Sequence, residues 1–111
     1  MAMNENPLDA FHRFKDRIFC THLKDACPKE RYPDASGFGL AQIQFCALGE
    51  GILPIKEILA ELIAAKGKEA HITLEIPTPL QTSLTQDNLL QQEVDNVFKS
   101  IEFIRRESLE L

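Results

Sequence analysis

The chain has 111 residues, 44% hydrophobic and 26% charged, with five glycines against six prolines, the composition of one globular domain rather than a disordered tail. No apolar run approaches the roughly 18–20 residues of a membrane span, and the opening MAMNENPLDAF lacks the basic start and apolar stretch of a signal peptide. Seventeen acids against twelve bases give a net charge of -5, the wrong sign for nonspecific phosphate binding. The expectation is therefore a cytoplasmic protein with no membrane and no nucleic-acid partner. Cys20, Cys27 and Cys46 form an odd set with no CxxC pair, so free thiols are expected rather than a disulfide framework or a zinc knuckle.

Asn6 as N-cap, Pro7 at the first helical position and Asp9 in the first turn open a helix over about 7–16, with Leu8, Phe11 and Phe14 at helical spacing. Residues 18–23 then read as a strand that ends at Lys24-Asp25, and their nearly continuous apolar character suits a parallel strand covered on both faces. The span 27–51 is broken by Pro28, Pro33, Gly37, Gly39, Gly49 and Gly51 and is expected to be an extended loop. Within it, LAQIQFCAL is apolar enough for a short extended segment. Pro54 starts a second helix in which Ile55, Ile58, Leu59, Leu62 and Ile63 fall on one face and Gly67 caps the end.

Residues 71–76 predict another strand, stopped by Pro77 and Pro79. A final helix over about 86–108 carries an apolar stripe of Leu90, Val94, Val97, Phe98, Ile101 and Ile104, extended by Leu109. Strands alternating with helices imply βαβ units in a parallel sheet. Two such strands alone leave exposed edges, so the chain is expected to be one piece, 1–111, of a larger α/β architecture.

Function gathers at the C-terminal ends of parallel strands, which here carry His22, Lys24 and Asp25 after the first and Glu75 after the second. An imidazole and a carboxylate suit a divalent ion such as Mn²⁺, Mg²⁺, Co²⁺ or Zn²⁺, although further ligands would be needed. Lys24 and Asp25 could orient His22 or contact a substrate. His12, in a polar helix, and His71, at a strand start, are expected to be structural. Neither Ser36-Gly37 nor Gly49-Glu50-Gly51 matches a nucleotide-binding loop, and GxSxG, HExxH and Cys/His catalytic patterns are missing.

The order Ile18-Phe-Cys-Thr-His22-Leu-Lys-Asp25, Leu48-Gly-Glu-Gly51, a helix, Ile72-Thr-Leu-Glu75 and a closing helix resembles the C-terminal portion of the xylose isomerase-like TIM barrels, the sugar phosphate isomerase/epimerase superfamily. The resemblance runs from about residue 7 to the end. It implies a partial (β/α)8 barrel: a preceding helix and the last two βα units, with parallel strands. It also implies that His22 and Glu75 are metal ligands, Mn²⁺ foremost, with Glu75 an acid/base carboxylate moving a proton next to a carbonyl. The substrate would be a small sugar, sugar phosphate or polyol, a related dehydratase or lyase sharing the chemistry, and Lys29 or Arg31 could meet a substrate phosphate.

The chain departs from that pattern in length, since a barrel needs roughly 250 residues. An isolated monomer is then expected to be inactive and to require a homo-oligomer or a complementing chain. The abasic-site endonuclease branch of the superfamily supplies further metal ligands shortly before its glycine turn, where this chain has Ile43-Gln44-Phe45. The alternative expectation is a non-catalytic barrel remnant, a scaffold or interaction module that self-associates through sheet edges and apolar surface.

Overall fold

The computed structural model describes residues 5–28, 30, 43–77, 79, 81 and 83–109. Helix α1 (Pro7–Phe14) starts where the sequence places it: the Asn6 side chain accepts hydrogen bonds from the backbone N–H groups of Leu8 and Asp9, satisfying donors that the first turn leaves open. It ends earlier than expected, in a 3₁₀ turn over Lys15–Arg17. Strand β1 (Thr21–Leu23) follows, then β2 (Asp25–Pro28), β3 (Ile43–Cys46), helix α2 (Ile55–Lys66), strand β4 (Ile72–Leu74) and helix α3 (Gln86–Leu109).

These strands make two separate two-stranded sheets. Strand β1 lies parallel to β4, with Thr21, His22 and Leu23 opposite Ile72, Thr73 and Leu74. Strands β2 and β3 pair antiparallel, Asp25 opposite Cys46 and Pro28 opposite Ile43. The expected partial (β/α)8 barrel is thereby corrected. After Lys24 the chain enters an antiparallel pair, so more than half of the described strand residues belong to a second sheet that no parallel βα unit contains.

The core lies between the β1–β4 pair and the two longer helices. Leu23, Leu48, Ile55, Leu59 and Phe103 are buried together, with Ile72, Leu74 and Ile76 packed against them. Helix α2 supplies Ile55, Leu59 and Leu62, spaced i, i+4 and i+7 so that they fall on one side. The Gly67 N–H closes α2 by donating to the Ile63 carbonyl. Gly49 has φ +85°, and a Cβ there would enter the Phe103 ring. That turn thus admits close contact with α3 only because it carries no side chain. All three cysteines are free thiols, Cys20 exposed and the other two buried. Among the described residues no helix is long and apolar enough to cross a membrane.

Candidate functional site

The β1–β4 ladder continues one step past its strands, the Glu75 N–H donating to the Leu23 carbonyl at 2.9 Å. Alternation along a strand then puts His22 and Lys24 on one face and brings Glu75 level with Lys24. The Glu75 carboxylate bridges both neighbours: Oε1 accepts from Lys24 Nζ at 2.8 Å, and Oε2 lies 3.2 Å from His22 Nδ1. Lys24 also stands over the Phe45 ring, 5.4 Å from its centroid, tying the cluster to the second sheet.

The hydrogen bond from Lys24, and after it that from His22, holds the Glu75 carboxyl below the usual carboxylate range. With its folded value below its unfolded one, Glu75 adds stability above the ordinary carboxylate range and loses it as pH falls through the depressed value. The effect is small, because the three side chains are 40–59% exposed and water screens them. Lys24→Met is expected to raise the Glu75 titration midpoint in an NMR pH series. An unchanged midpoint would remove Lys24 as the cause.

Beside the cluster, α1 and β1 border an open groove of about 430 Å³ whose apolar wall includes Phe11, Phe14, Ile18, Leu53 and Ile58. His22 and Lys24 stand on its rim. His12 is 3.2 Å from Glu61, linking α1 to α2, and the His71 carbonyl accepts from the Thr21 N–H and hydroxyl. Arg31 and Lys29, expected at a substrate phosphate, lie outside the described residues.

Asp25 is placed in the interior, 1% exposed, not on the surface beside Lys24. Its carboxylate accepts four backbone N–H bonds: Oδ1 from Ala26 at 2.8 Å and Leu53 at 3.2 Å, Oδ2 from Gly49 and Gly51 at 3.0 Å each. Both oxygens are thus committed to fixing the turn after β3. Nothing in the 24-residue separation of Asp25 from Gly49 identifies this contact; a lone acid at a strand end was the only hint.

Helix α3 is turned unexpectedly. Its buried residues are Asn96, Ser100, Phe103 and Glu107, while Leu90, Val94, Val97 and Phe98 are exposed. At 100° per residue the apolar stripe lies roughly 130° around the helix from the buried one. Polar partners hold part of the buried face: Ser100 Oγ accepts from the Leu48 N–H at 3.0 Å and donates to the Asn96 backbone carbonyl at 2.7 Å, while the Asn96 side-chain nitrogen is buried without a hydrogen-bond partner among the described residues. Lys56 Nζ reaches Glu107 at 3.0 Å, the leading reason the Glu107 carboxyl sits below the usual range. The periodicity that predicted α3 was sound, but most of the apolar stripe it marked is exposed.

Among the described residues no three His, Cys, Asp or Glu side chains gather to hold a metal ion. That, with the two separate sheets, overturns the expected metal-dependent isomerase or epimerase, the related dehydratase or lyase, and the carbohydrate-metabolism role that went with them. Comparisons with protein-family models, with curated proteins and with solved structures find no match, and the resemblance to the xylose isomerase-like barrels is corrected accordingly.

Proposed function

We propose that the chain is an interaction module, completed by another polypeptide on the outward face of α3. The observation that supports this reading is the inverted helix: Phe98 is 64% exposed while Ser100, two residues on, is fully buried. Leu90, Val94, Val97 and Phe98 follow at i, i+4, i+7 and i+8, one continuous ridge rather than scattered surface apolars. Burying such a side chain contributes about 1.5–3 kcal/mol, so a partner covering the ridge gains more than surface charges supply. Both two-stranded sheets also keep open edges among the described residues, a second route for pairing.

The triple variant Leu90→Gln, Val94→Gln, Phe98→Ser tests the reading. It is expected to retain the helical circular dichroism of the parent chain while losing association with its partner. Collapse of the helical signal would show that the ridge belongs to the chain's own core, and the reading would fall.

A further inference from the structure

We infer that the partner is a second copy of this chain, with α3 packed antiparallel against α3 about a two-fold axis level with Asn96; this rests on the interaction-module reading. Asp87 in the first turn and Arg105 near the end of α3 are both exposed. They are eighteen positions apart, which is five whole turns, so both fall on one line along the helix, about 27 Å apart, at the margin of the apolar ridge. An antiparallel pair centred on position 96 brings each Asp87 to the second copy's Arg105. The same register sets Val94 level with the second copy's Phe98, and Leu90 beside its Ile101. One register therefore matches charge at both ends and apolar side chains in the middle.

The charge pattern of the whole helix agrees. The first half carries Asp87, Glu93 and Asp95 and no base; the bases Lys99, Arg105 and Arg106 all lie in the second half with Glu102, Lys99 already pairing with Glu50 at 3.2 Å and Glu107 buried against Lys56. Antiparallel packing sets acidic half against basic half and aligns the helix dipoles favourably, whereas parallel packing sets like against like. The resulting contact is isologous and closes as a dimer, without open-ended growth. A 24-residue helix face, about 36 Å long and 10–12 Å wide, offers roughly 400 Å² a side. That is half a standard interface, so a concentration-dependent dimer is expected.

Sedimentation equilibrium of the full chain tests this. The parent chain is expected to show a monomer–dimer equilibrium, and Asp87→Arg or Arg105→Asp alone to weaken it about tenfold, because each sets like charges together at both ends. Mixing the two single variants, or joining both changes in one chain, restores complementary ends and is expected to restore the dimer. Dimers unaffected by either reversal, or not recovered in the mixture, would overturn the register. A parent chain still monomeric at about 0.5 mM would overturn the second copy as partner. If the triple ridge variant then remains helical, the interaction-module reading survives that failure; if it unfolds, both fall.

Discussion

Asp25→Ala is expected to cost about 3–5 kcal/mol of folding stability, read as a lower urea midpoint, out of about 5–15 kcal/mol for a domain of ordinary stability. The substitution leaves the backbone N–H groups of Ala26, Gly49, Gly51 and Leu53 without the carboxylate that accepts them. Water replaces that acceptor poorly, because the site is closed and Ala26, Cys46 and Ala47 around it are buried as well. The turn from Ala47 to Leu53 also links β3 to α2, so its loosening reaches the Leu48 and Ile55 side chains of the core. A loss below 1 kcal/mol would show that the turn holds itself.

Gly51→Ala is expected to cost about 2–4 kcal/mol by the same measurement. A Cβ at this position would enter Asp25 Oδ1 and the Ala26 carbonyl oxygen. Neither can yield: the carboxylate is pinned by its backbone donors, and the Ala26 carbonyl accepts from the Ile52 N–H at 2.8 Å. Relief requires the Gly51 N–H to leave Asp25, so the two changes act on one structure. Combined with Asp25→Ala, Gly51→Ala is expected to cost well under the sum of the separate losses. Strict additivity would place the strain of Gly51→Ala elsewhere.

Local signals were legible where one short segment settles the outcome. Asn6, Pro7 and Asp9 mark the start of α1, and the spacing of Ile55, Leu59 and Leu62 marks the buried side of α2. The β2–β3 pair was not legible as a sheet, because Asp25 and Pro28 read as loop residues and their partners, Cys46 and Ile43, lie 21 and 15 residues on. The orientation of α3 was equally hidden. Periodicity ranks faces by apolar content, whereas Ser100 and Glu107 are drawn inward by Leu48 and Lys56, which belong to other elements.

The motifs behind the family resemblance do meet in space, with different consequences. His22, Lys24 and Glu75 form an exposed ion cluster, and Asp25 with Gly49 and Gly51 forms a buried knot that shapes the turn. Short motifs of charged residues and glycines therefore matched a pattern that the two-sheet architecture uses for surface pairing and turn closure.

The orientation of α3 carries the functional reading, and the thermal unfolding of the Leu90→Gln, Val94→Gln, Phe98→Ser chain, at a dilution where the parent is monomeric, tests it most directly. A cooperative transition within a few degrees of the parent is predicted, since the substituted side chains touch solvent there and Asn96, Ser100, Phe103 and Glu107 keep their seat. A transition lost, or lowered by tens of degrees, would mean that the apolar ridge is packed inside the folded chain, and would contradict it.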